Sequence, residues 1–276
     1  MRVLSRNGPA HSGPAGELLF PPHRWYRSAM KRIILLFLCL LAAVSPVLHA
    51  DHSALASDRT GLADRLLGIP YRPDGVRDES GRFSLFAHPE RSFDTPGLNC
   101  SGLDYSLMRL LAPVTLTTRQ AARDRLGDSG PGAPMGQDWD FGFNLILNLS
   151  EGLPRRWLLP EPRAVSGRES GLDTLGFTTS DLAAWKRALD RMGPDEVLLA
   201  SFNQTGRRKG YSLQHYHVAV ILPDVSGGRW LYQALPKSGV TKTNLADPEA
   251  MRRFLAFFSG GDKRVLLLGV TLPPAR

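Results

Sequence analysis

The 276-residue chain is 42% hydrophobic and carries a formal net charge of +8. That apolar content, with no low-complexity tract, supports a buried core and excludes a disordered or fibrous protein. The positive charge is local: residues 1–50 hold six Lys or Arg and one Glu, leaving 28 basic against 25 acidic residues beyond them. No basic, aromatic-studded face remains, which argues against a nucleic-acid-binding role. Arg207-Arg208-Lys209, the one tight basic run, reads as a solvated loop.

Residues 1–29 are rich in Pro, Gly and Arg without apolar periodicity, and are expected to be a non-native extension upstream of a start at Met30. Residues 30–50 have the pattern of a signal peptide. Met30-Lys-Arg32 is a positive n-region, Ile33 to Val44 an apolar core, and the segment ending at Ala50 a cleavage region. The apolar core falls short of the roughly 20 residues that span a bilayer. The expectation is therefore an exported, periplasmic or secreted protein with no membrane span after signal removal. Residues 51–276 would form the mature domain, and Cys100 would be its single cysteine. In an oxidising compartment where cysteines usually pair, an unpaired one points to chemistry.

Along the mature chain, Ser57-Asp58 precedes Leu62, Leu66 and Leu67, predicting a short capped helix ended by Gly68 and Pro70. A long loop follows to His88-Pro89. Pro96 and Gly97 break the chain, and Leu103, Leu107, Leu110 and Leu111 then recur at helical spacing, so Cys100 falls where a turn enters a helix. Unpaired N–H groups and the positive end of the helix dipole at such a position lower a thiol's pKa from about 8.5 toward roughly 3.5–7.5. Thr117 or Thr118 is expected to cap a helix through Leu126, followed by a surface excursion over residues 127–136. Residues 139–149 read equally as a buried helix or strand. Thr178-Thr179-Ser180-Asp181 caps an amphipathic helix to Met192 with Leu182, Trp185, Leu189 and Met192 inward. From Asp195 the pattern changes to strands over 196–202, 214–222, 229–235, 239–243 and 264–272, with a helix over 248–258 before the last. Helices first and strands later predict an α+β fold with a mostly antiparallel sheet.

A thiolate attacking an amide needs a base, and the mature chain offers His52, His88, His215 and His217. The last two lie two apart in a predicted strand, which would place both on one face. As a zinc site the pair lacks the further ligands required, so no metal and no cofactor are expected.

At this point the chain resembles the NlpC-type cell-wall cysteine peptidases. Leu67-Gly-Ile-Pro-Tyr71 is similar to that family's G-x-x-Y motif, Asn99-Cys-Ser-Gly-Leu103 to D-C-S-G-hydrophobic, and His217-Val-Ala-Val-Ile-Leu222 to H-V-G-I-Y. Trp230-Leu-Tyr-Gln-Ala234 with Ser238-Gly-Val240 resembles the segment that carries the third polar residue. The resemblance implies a papain-like fold, with N-terminal helices on the sheet and hydrolysis of an amide in peptidoglycan stem peptides. Cys100 would be the nucleophile, His217 the base and Gln233 the residue that orients it. Tyr71 would line the site, Ser101 would join the backbone N–H of Cys100 at the oxyanion, and His215 stands as an alternative base. Asn99 in place of Asp, Arg72-Pro73-Asp74-Gly75 in place of Trp-Gly-Gly, and an insertion at about 113–195, large enough for a subdomain or lid, depart from the pattern. A non-catalytic module that binds wall peptides or a partner, and a cysteine amidase with another amide substrate, are the alternative readings.

Overall fold

A computed structural model describes residues 59–208, 211–258, 260 and 262–274. The expected extension, signal peptide and Ser57-Asp58 cap lie outside the described residues.

The first helix, α1, covers 59–64 and turns off at Gly68, whose φ of +78° is the left-handed conformation that glycine adopts without strain. The expected long loop is structured: β1 (Gly75–Arg77), β2 (Phe83–Leu85) and β3 (Ser92–Phe93) form a small antiparallel sheet in the order β1-β2-β3. Asp78 organises the turn between its first two strands by accepting from the N–H groups of Ser80 and Arg82 (both 2.9 Å). Next comes α2 (Cys100–Leu111), then α3 (Thr118–Ala121), which has the expected Thr117 cap but stops well short of Leu126. Asp124 explains the early stop. Its Oδ1 accepts from the N–H groups of Leu126 and Gly127, and its Oδ2 from that of Ser129. An aspartate that captures backbone donors in this way competes directly with helix continuation.

The ambiguous apolar run is a helix, α4 (Phe141–Leu149), buried almost all round. Its two asparagines are satisfied internally: Asn144 donates to Asp140 Oδ2 (2.7 Å), and Asn148 to the Ala121 and Arg123 carbonyls (2.9 and 2.8 Å). Short strands β4 (Arg155–Trp157), β5 (Arg163–Ala164) and β6 (Phe177–Thr178) lead to α5 (Leu182–Asp190), capped by Asp181. Trp185, Leu189 and Met192 are buried as expected. Leu182, expected inward, is exposed: it opens the helix and lines a surface groove with Leu189, Pro248 and Met251.

The C-terminal half is β7 (Glu196–Arg208), β8 (Tyr211–Pro223), β9 (Arg229–Leu235), β10 (Gly239–Asn244), α6 (Pro248–Phe257) and β11 (Asp262–Thr271). These strands join an eight-stranded sheet in the order β10-β9-β8-β7-β11-β4-β5, with β6 also on β11. All its pairings are antiparallel. Strand alternation divides the interior into two layers. Val197, Leu199, Val218, Val220, Leu266 and Leu268 face α2 and α4; Leu198, Ala200, Ala219, Ile221, Val265 and Leu267 face α5 and α6. The chain is thus α+β with mostly antiparallel sheets. The 113–195 segment, expected as a subdomain or lid, builds into both layers and the sheet: α4 lies in the first apolar layer, α5 in the second, and β4 pairs with β11. No described helix is long and apolar enough to cross a membrane.

Candidate active site

Cys100 opens α2 as its first helical residue, and three contacts hold it there. Asn99 is the N-cap, accepting from the Gly102 N–H through Oδ1 (2.7 Å), while its own N–H donates to the Gly75 carbonyl (2.9 Å). Leu98 pairs with Tyr71 in a parallel bridge, so the residue before the cap is tied to the end of the first loop. Gly102 fits because a Cβ there would lie 2.0 Å from the Gly75 carbonyl oxygen, closer than any side chain tolerates.

Cys100 as a residue is half-buried, and the backbone N–H groups of Val218, Ser101 and Cys100 are oriented to favour its anion. The Ser101 hydroxyl lies 4.0 Å from the sulfur. Burial outweighs these donors and pushes the thiol up, in contrast to the lowered value expected at a helix start. The sulfur sits among apolar α2 and β8 residues as well as at the dipole end, and desolvation disfavours a thiolate. Tyr71, half-buried in the same apolar layer as Cys100, has its phenol raised by burial and then by the Cys100 charge.

Strand β8 carries both histidines, and here an irregularity changes the expected arrangement. Phe202 pairs with His217 while Asn203 pairs with His215, leaving Tyr216 as a bulge residue. A bulge inserts one extra residue and switches the alternation, so the two imidazoles face opposite layers rather than sharing a side. His217 lies against Phe202 and Phe258 on the α6 side, with 9% of its surface exposed. Its Nε2 is 3.1 Å from Gln233 Oε1. Since that oxygen only accepts, Nε2 carries the proton and Nδ1, which makes no hydrogen bond, is left basic. Desolvation, partly offset by Gln233, brings His217 down to about 4.

His215 faces α4, packed on Trp139 and Phe143, with both nitrogens engaged: Nδ1 with Ser201 Oγ (3.0 Å) and Nε2 with the Gly171 carbonyl (3.1 Å). Burial, partly offset by the Gly171 bond, brings it down to about 4 as well.

The structure therefore brings His217 to Gln233, and Tyr71 and Ser101 to Cys100. The thiol and the His217 ring are not hydrogen-bonded to each other. They approach one stretch of β8 from its two layers, at a point where the β8–β9 ladder has ended: its last pair in this direction is Val220 with Tyr232.

One residue of the site escaped the sequence reading. Asp104, one helical turn after Cys100, is fully buried, and neither carboxyl oxygen has a hydrogen-bond partner. Burial and then the Cys100 charge raise it well above the usual carboxylate range, so its surroundings favour the neutral acid. Its position at i+4 from the cysteine, on the face that packs against the sheet, was the available signal.

The fold and site define an α+β protein whose helix-start cysteine lies beside a histidine strand. No family model and no curated protein matches the chain. It is similar at 12% identity, with a TM-score of 0.44, to protein LPG0564 from Legionella pneumophila, described under the family model DUF1460. That similarity covers 83% of this chain and 96% of the other.

Proposed function

We propose that this protein is an exported cysteine hydrolase of papain-like, NlpC-type architecture that cleaves an amide in peptidoglycan stem peptides. The observation that carries the reading is the Cys100 sulfur at the start of α2, with the N–H groups of Cys100, Ser101 and Val218 favouring its anion. One residue before Val218, His217 is held by Gln233 with Nδ1 free. The export assignment rests on residues 30–50.

With the thiol raised and the imidazole lowered, the resting pair is neutral, so proton transfer accompanies substrate binding and is not complete beforehand. Cys100 attacks the carbonyl as its proton passes to His217 Nδ1, a transfer that requires the imidazole, which lies on the other layer of β8 in this structure, to move within hydrogen-bonding reach of the sulfur as substrate binds. The oxyanion that forms takes hydrogen bonds from the Cys100 and Ser101 N–H groups at the helix start. His217 returns the proton to the leaving amine, and water then releases the acyl group from sulfur. Gln233 fixes the ring orientation and tautomer throughout. Tyr71 lines the acyl side. His215 is set aside as the base because both its nitrogens are occupied.

The raised thiol and the absence of a Cys100–His217 hydrogen bond favour a second reading, a cleft that binds wall peptides without cutting them. An amidase acting on a different amide keeps the same chemistry. Incubating purified peptidoglycan with the wild type and the Cys100→Ala, His217→Ala and His215→Ala variants, and weighing the released muropeptides, separates these readings. Hydrolysis should be lost in the first two variants and persist in the third. Turnover by His217→Ala near that of the wild type refutes the base, and retained wall binding without products from the wild type supports the binding module.

A further inference from the structure

Asp124, Asp128 and Asp140 each bring a carboxylate oxygen to within 4.8 Å of the other two. Proximity alone would make an ordinary acidic cluster. Asp140, however, is 1% exposed, and while its Oδ2 accepts from Asn144, its Oδ1 is buried without a hydrogen-bond partner. Asp128 Oδ1 is likewise buried and unpartnered. Among the described residues no Lys or Arg forms an ion pair with any of the three; Arg123 and Arg125, the cations nearest in sequence, pair with Glu151. A buried oxygen without a donor is costly, and several beside one another more so.

We propose that Asp124, Asp128 and Asp140 bind a hard divalent cation, calcium by preference, that fastens the 124–140 loop to the start of α4. The donors are all oxygens, which suits calcium or magnesium and not zinc. Calcium tolerates the irregular geometry of a loop, whereas magnesium demands a near-ideal octahedron. Asp124 is already oriented by the three backbone N–H groups it accepts.

The site would act on β8. Residues 139–142 abut that strand: the His215 N–H donates to the Trp139 carbonyl (2.7 Å), and a Cβ on Gly142 would lie 3.0 Å from the His215 oxygen. A cation at Asp140 thus fixes the segment that supports β8 just before His217.

The test is thermal unfolding of the full chain, stripped with a chelator and titrated with calcium chloride to about 10 mM, above the roughly 0.1–1 mM affinities of extracellular calcium modules. Magnesium chloride and sodium chloride at matched ionic strength are the controls. The wild type should melt higher with calcium, and the midpoint should keep rising with concentration, as mass action requires. Asp128→Asn should need on the order of tenfold more calcium or more, yet melt no lower than the wild type in chelator, because it relieves repulsion. Asp140→Asn should lose the calcium response, and Asp128→Asn keeps the test informative if that variant fails to fold. No calcium-dependent rise in the wild type, an equal rise in Asp128→Asn, or an equal loss by Asp128→Asn with and without calcium overturns the proposal. An equal response to magnesium overturns the preference for calcium.

Discussion

Two buried neutral histidines should make this protein acid-sensitive well above the range where carboxylates titrate. Each titrates near 6.5 when unfolded and near 4 when folded. Because the folded value is the lower one, the contribution of each neutral ring is complete above about pH 6.5 and is withdrawn as pH falls toward 4. Between pH 7 and 5 the loss is about 2 kcal/mol per histidine, approaching about 3 kcal/mol when titration is complete. Asp104 and Asp140, whose folded values are raised, act with the opposite sign, so the measurement must be differential. Urea unfolding of the wild type, His215→Gln and His217→Gln at pH 7, 6 and 5 removes one ring at a time and cancels the carboxylates. Each variant should be penalised about 2 kcal/mol less at pH 5 than at pH 7. Stability curves that run parallel to the wild type across this range would refute the neutral, desolvated assignment for that histidine.

Alkylation of Cys100 by iodoacetamide, followed by mass, should be slow at pH 7 and still accelerating at pH 9, since burial raises the thiol; a plateau below pH 7 would show a standing thiolate. Gly102→Ala should destabilise the protein by about 1–3 kcal/mol or more in chemical denaturation, because its Cβ would meet the Gly75 carbonyl, which already accepts from Asn99. Asp104→Asn should raise stability at pH 7 relative to pH 4, because the native state disfavours the carboxylate and most of that penalty is gone near pH 4, where the unfolded carboxyl is itself about half protonated. An unchanged pH difference would mean that Asp104 has found a partner.

The residues that made the fold legible were those whose spacing repeats. The leucines after Cys100, the Asp181 and Thr117 caps and the alternating strands from Glu196 all carry a local signal, and their elements stand where that signal puts them. What was not legible depended on partners distant in sequence. Whether Trp139 to Leu149 is helix or strand is settled by burial on all sides, and the helix after Thr117 ends because Asp124 competes for backbone donors. The shared face of His215 and His217 failed for a related reason. A bulge at Tyr216 leaves no mark in the alternation of side-chain types, yet it moves His215 to the other layer. Asn99, Tyr71 and Gln233 could be picked out one by one, but the raised thiol reflects surroundings contributed by the whole first layer.

The pairing of β4 with β11 has a practical consequence for anyone wishing to trim this chain to a minimal folded body. Excising residues 113–195 would leave Leu268 to Val270 with a row of unanswered peptide groups along a long hydrophobic strand. Such an edge recruits a neighbouring chain as readily as it once held its own. A shortened protein would be expected to precipitate before its chemistry could be assayed, so the loop-rich middle is better explored by point changes than by deletion.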